Sequence, residues 1–150
     1  MKELTESNYI DFVCLSQITT PFEKVKLKNS EESARLCRTL FEGNISFLES
    51  FFVLMLDRYN QAFCYAKISQ GGRFSTVVDP AIIAKYAVTS LCSGVVLCHN
   101  HPSGNLSPSQ ADKDITKKVI SGLKLFDICV LDHLIISETA YFSFADEHHL

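Results

Sequence analysis

The sequence predicts an α/β fold, a mixed sheet flanked by helices, and three observations carry that reading. Two continuous apolar runs of strand length, residues 51–56 and 94–98, ask for burial on both faces of a sheet. Helix-start signals at Ser30, Asp79-Pro80 and Ser109 alternate with such runs. At least one link, residues 57–60, is hairpin-short, so antiparallel pairing must accompany any parallel pair. With 150 residues, 47% hydrophobic and 21% charged, the chain has the size and composition of one domain with one main core.

The elements follow in order. Residues 1–21 are polar and weakly patterned and read as an extension; the domain occupies 22–150. Residues 22–28 alternate apolar and charged side chains, the pattern of an edge strand. Ser30 is the expected N-cap of a first helix, with Glu31 and Glu32 suited to its positive end. Ala34, Cys37, Leu40 and Phe41 form its apolar face, and Gly43 marks its end. The buried strand 51–56 turns through 57–60 into an antiparallel partner over 62–69, which Gly71-Gly72 breaks. Pro80, suited to a first helical turn, starts a second helix running to about Leu91. Strand 94–98 delivers His99 at its C-terminal end. Ser109 begins a third helix with the stripe Ala111, Ile115, Val119, Leu123 and Phe126, and strands over 128–136 and 141–144 close the chain.

Fourteen basic against 17 acidic residues give a net charge of −3. No basic stripe is present, so strong nucleic-acid binding is not expected. The six cysteines are scattered through apolar stretches without a C-x-x-C pair. Residues 1–30 are acid-bearing and lack a long apolar run, and no stretch reaches the roughly 18 apolar residues of a membrane span. These features predict a soluble cytoplasmic protein with reduced thiols and no membrane partner. If the apolar strand 62–68 lies at a sheet edge, a second copy can pair there to form a homodimer.

The segment that carries chemistry is His99-Asn100-His101-Pro102-Ser103-Gly104, followed by Ser109 and Asp112. Two histidines one residue apart, where a strand runs into a loop, can aim both imidazoles at one point. A carboxylate on the first turn of the next helix can fold back to the same point. Two His and one Asp leave a fourth tetrahedral position open, the donor pattern of a catalytic zinc site rather than a closed structural one. Cys98 adjoins His99, but strand alternation aims it at the opposite face. Ser109 and Asp112 also read as a plain capping box, which needs no function but leaves both histidines unexplained.

His99-x-His101, seven residues, Ser109, two residues and Asp112 reproduce the spacing of the JAMM/MPN metalloprotease motif. With Pro108, Thr116 and Leu131-Asp132-His133, the flanking text resembles the RadC-like JAB branch of that superfamily, from about Val25 to the C-terminus. Glu49-Ser50-Phe51, Ser69-Gln70-Gly71-Gly72 and Tyr141-Phe142-Ser143 extend the match. Residues 1–21 do not resemble the helix-hairpin-helix region that precedes longer members. The resemblance implies a cytidine-deaminase-like JAMM/MPN architecture and one Zn2+ per chain on His99, His101 and Asp112. It also implies a catalytic glutamate before the metal motif, at Glu49. Glu49 opens a very apolar strand, where partial burial can tune a base, although an exposed strand-start acid is the plainer alternative. Asp132 and His133 interrupt an apolar strand, either to orient a metal ligand or as satisfied core groups.

Three function classes follow. The leading one is a zinc metallopeptidase acting on a peptide, isopeptide or similar amide of unidentified substrate. In it Glu49 moves the proton and Ser109 donates to the developing oxyanion. The second is a non-catalytic or DNA-processing-associated RadC-like module. The third, a phosphoesterase, would want a second metal, for which Asp132 and His133 are the internal candidates.

Overall fold

The computed structural model describes residues 16, 18, 20, 22–41, 43–71 and 77–150. Most of the 1–21 extension, with Cys14, lies outside them, as does Gly72. The described chain runs β1 (Val25–Lys26), α1 (Ser30–Thr39), β2 (Ser50–Leu56), β3 (Gln61–Gln70), α2 (Pro80–Thr89), β4 (Gly94–Asn100), α3 (Gln110–Lys124), β5 (Cys129–Ile136) and β6 (Tyr141–Ser143). The strands form one sheet in the order β1-β3-β2-β4-β5-β6. Only β4 and β5 run parallel, with α3 as the crossover between them; every other pair is antiparallel. The fold is therefore α/β with a mixed sheet, as the alternating signals predict.

Both central strands are buried along their whole length, which is why their sequences show no polar alternation. Alternate residues of β2 serve two cores. Phe52, Leu54 and Leu56 pack with Val96, Cys98 and α1 residues Ala34 and Cys37. Phe51, Val53 and Met55 pack with Val95, Leu97, Ile83 and Ala87 of α2, and Val119 and Leu123 of α3. The sheet is thus sandwiched between α1 on one face and the α2–α3 pair on the other. Cys98 faces α1, opposite His99, as strand alternation requires. Cys37, Cys64, Cys92, Cys98 and Cys129 are all free thiols.

Local chemistry corrects several boundaries. The N-cap of α1 is Asn29 rather than Ser30: the Asn29 side chain accepts from the Glu32 amide at 2.8 Å. The Ser30 hydroxyl is drawn instead to the C-terminal segment, donating to Asp146 Oδ2 at 2.5 Å. Helix α1 also closes at Leu40, before Gly43. The edge strand expected over 22–28 contracts to Val25–Lys26, which pair only with Gln61 and Ala62. Helix α3 buries Thr116, Val119 and Leu123, whereas Ala111 and Phe126 of the expected stripe are exposed.

One irregularity matters for the site. In the β4–β5 ladder, Val95 pairs with Val130 but Val96 pairs with Asp132, so Leu131 is an extra residue on β5. That bulge shifts the phase of the strand beyond it and places His133 beside Leu97, on the face that carries His99. Without it, Asp132 would take that place.

Candidate metal centre

Strand β4 ends at Asn100, so His99 leaves the sheet fully buried at 1% exposure while His101 begins the loop. The loop is fixed by its own polar groups. Gly104, at φ +77°, donates its amide to the His101 carbonyl at 2.9 Å, and the Ser107 amide binds Asn105 Oδ1 at 3.0 Å. The His101 Nδ1–H donates to the Asn105 carbonyl at 2.5 Å, because a carbonyl can only accept. Its Nε2 is therefore the end turned toward the site.

Asp112 arrives from the first turn of α3. The capping box is formed in full: Ser109 Oγ accepts the Asp112 amide at 3.1 Å, and Asp112 Oδ2 accepts the Ser109 amide at 2.7 Å. The Ser109 hydroxyl also donates to Asp112 Oδ2 at 2.7 Å. The cap thus orients the carboxylate. Asp112 Oδ1 lies 3.2 Å from His99 Nε2, Oδ2 lies 3.5 Å from His101 Nε2, and the two Nε2 atoms are 3.0 Å apart. Ligands about 2.1 Å from a tetrahedral zinc stand roughly 3.4 Å from one another. The three separations bracket that value, so this donor set fits a single ion, and it is the one such group among the described residues.

The electrostatics agree. Burial pushes the Asp112 carboxyl up, but the imidazoles of His101 and His99, with the Ser109 hydroxyl, outweigh it and hold the group well below the carboxylate range. Contact with the Asp112 carboxylate lifts His101 above its ordinary value against opposing burial, helped by the Asn105 carbonyl and the charges of Asp112 and Glu49.

Glu49 is half-buried immediately before β2, and its backbone carbonyl accepts the Gly71 amide at 2.9 Å. It lines the same cavity, about 300 Å³, as His99, Asp112, Phe51, Ile115 and Lys118. A larger cavity of about 630 Å³ between α1, β3 and α2 contains none of these site residues. His133 is fully buried, its Nε2 2.8 Å from His99 Nδ1. Burial, with the neighbouring charges of His99 and His101, pushes it well below an ordinary histidine despite Asp112. Asp132 points the other way, accepting from the His133 and Ala145 amides and from the Ser143 hydroxyl. Burial raises its carboxyl, and those hydrogen bonds only partly offset the effect.

Two residues that the sequence reading quoted but gave no role also belong to the site. Asn100, between the histidines, faces the opposite side of β4 and is 0% exposed. Its Oδ1 accepts the Ser50 amide at 2.8 Å, and its Nδ2 donates to the carbonyls of Ile45 at 2.6 Å and Leu48 at 2.8 Å. It therefore clamps the loop that carries Glu49 to the end of β4, between His99 and His101. Thr116, one turn after Asp112, donates to the Asp112 carbonyl at 2.5 Å and meets His133 Nδ1 at 2.6 Å. A polar residue at a buried helical position was the signal available for it.

A UPF0758 protein of Flavobacterium johnsoniae is 48% identical over 99 residues, covering 66% of this chain and 43% of the relative. UPF0758 protein YfjY of Escherichia coli is 43% identical over 98 residues, covering 65% and 61%. A UPF0758 protein of Haemophilus ducreyi is 28% identical over 151 residues, covering 98% and 68%. The matches span 43% and 61% of the lengths of the first two relatives. The sequence profile of the RadC-like JAB domain matches residues 27–149, and the chain belongs to that family, a branch of the JAB/MPN superfamily.

Proposed function

We propose that this domain is a zinc-dependent hydrolase of an amide bond, peptide or isopeptide, built on the JAMM/MPN architecture. The observation that carries the reading is the convergence of His99, His101 and Asp112 on one point, with His99, Asp112 and Glu49 lining one cavity. Membership of a superfamily that includes metalloproteases supports it. When bound, zinc supplies Lewis acidity, polarising a carbonyl and making water nucleophilic near neutral pH.

The chain's own residues do the rest. Asp112 and the two imidazoles would hold the ion through three donors, the number a catalytic zinc site uses. Glu49 takes a proton from the attacking water and hands it to the leaving amine. Ser109 has two jobs. Its hydroxyl caps α3 and donates to Asp112 in the resting geometry, and it rotates to donate to the tetrahedral oxyanion during reaction. Asp132 and His133 lie behind His99 rather than in the cavity, which disfavours a two-metal phosphoesterase. The five free thiols among the described residues suit the cytoplasm.

Replacing Glu49 tests the reading. Glu49→Gln keeps the shape but not the base, so zinc occupancy should stay near the parent value. Turnover of an amide substrate found by screening should fall about a hundred- to ten-thousandfold. Loss of zinc in Glu49→Gln, or unchanged turnover, contradicts the assignment; a domain that binds zinc but hydrolyses nothing is a binding module.

A further inference from the structure

We propose that His133 and Thr116 form a buried positioning relay that fixes which nitrogen of His99 faces the metal, an inference that rests on the metal-site reading above. Counting protons along the chain of contacts gives its polarity. The Thr116 hydroxyl donates its single proton to the Asp112 backbone carbonyl at 2.5 Å. Only its lone pairs remain for His133 Nδ1 at 2.6 Å, so Nδ1 carries hydrogen and donates. His133 is 0% exposed and stacks on Phe144, ring centroids 4.7 Å apart, and among the described residues its side chain has no carboxylate hydrogen-bond partner. In the neutral ring that such a site demands, Nε2 is then a bare acceptor. His99 Nδ1 lies 2.8 Å away and must donate to it. The proton of neutral His99 is thereby committed to Nδ1, and its Nε2 lone pair is turned toward Asp112 and His101.

The relay does more than choose a tautomer. It begins at the backbone of one ligand, Asp112 on α3, passes through β5 and ends at another ligand, His99 on β4. Two donors from separate elements are thus held in one hydrogen-bonded frame, independent of any ion. His101 reaches the same state by a local route, through the Asn105 carbonyl. Both histidines therefore present Nε2, each oriented by an acceptor behind it, the arrangement that raises ligand basicity at metal sites. The Leu131 bulge makes this possible by bringing His133 to the face of His99.

Thr116→Val and Thr116→Ser separate this role from packing. Valine keeps the shape of threonine but removes the only acceptor for His133 Nδ1. The His133 proton is then free to move to Nε2, which forces the His99 proton onto its metal-facing nitrogen. Serine keeps the hydroxyl. Zn2+ affinity, measured by competition with a chromophoric chelator, should fall about ten- to a hundredfold in Thr116→Val and in His133→Phe, and stay within a few-fold of the parent in Thr116→Ser. Two-bond 15N–1H spectra of the metal-free protein should show Nδ1–H at His99 in the parent and in Thr116→Ser. In Thr116→Val that assignment should be lost at His99 while His101 keeps it. Parent-like zinc affinity in Thr116→Val, or a His99 tautomer unchanged there, overturns the relay. A parent that binds no zinc overturns the metal-site reading instead, whatever the tautomers show.

Discussion

Asn100→Ala tests the clamp between the glutamate loop and the metal strand. The substitution removes one acceptor and two donated hydrogen bonds from a fully buried position. It orphans the Ser50 amide and the carbonyls of Ile45 and Leu48. An unsatisfied buried polar group costs about 1–3 kcal/mol, so taking the three groups at the lower half of that range gives a loss of about 3–6 kcal/mol. Against a total stability of about 5–15 kcal/mol, that is a large fraction. At about 2–4 °C per kcal/mol for a chain of this size, the midpoint of thermal unfolding should drop by about 6–24 °C. Asn100→Asp should be no milder, because it keeps the acceptor for Ser50 but sets a carboxylate against two carbonyls. The assay is urea unfolding of the metal-free protein together with hydrogen exchange at the Ser50 amide. A loss below about 1 kcal/mol in Asn100→Ala, or a Ser50 amide as protected as in the parent, refutes the clamp.

The remaining expectations concern the metal and the cap. Chelator-treated protein should keep its circular dichroism and a cooperative unfolding transition, because two apolar cores hold the sheet without an ion; a coil spectrum after chelation contradicts this. Ser109→Ala should cost about 1 kcal/mol of stability through the lost cap. It should also reduce turnover of an amide substrate by about a hundred- to a thousandfold, so unfolding and kinetics measured on one variant separate the two jobs of that hydroxyl.

Much of this molecule is legible in its sequence where the signal is local. Asp79-Pro80 and Ser109-x-x-Asp112 start helices through contacts within four residues, and both starts stand where their chemistry puts them. The unbroken apolar runs of β2 and β4 announce central strands, and the spacing of His99, His101 and Asp112 announces the donor set. What is illegible depends on distant partners. Ser30 gives up the cap of α1 because Asp146, 116 residues away, takes its hydroxyl. The choice between Asp132 and His133 as neighbour of His99 is made by one bulged residue, Leu131, which no periodicity reveals. Asn100 sits inside the most conspicuous tripeptide of the chain, yet its partners lie about 50 residues earlier on the other side of the sheet.

The central claim is that His99, His101 and Asp112 hold one catalytic zinc ion. Metal analysis by mass spectrometry, on protein purified without chelator, tests it most directly when the parent and a His99→Ala, His101→Ala double variant are run together. The account predicts about one zinc per chain in the parent and almost none in the double variant, with both proteins folded. Stoichiometric zinc in the double variant, or a folded parent that takes up no zinc when it is supplied, contradicts it.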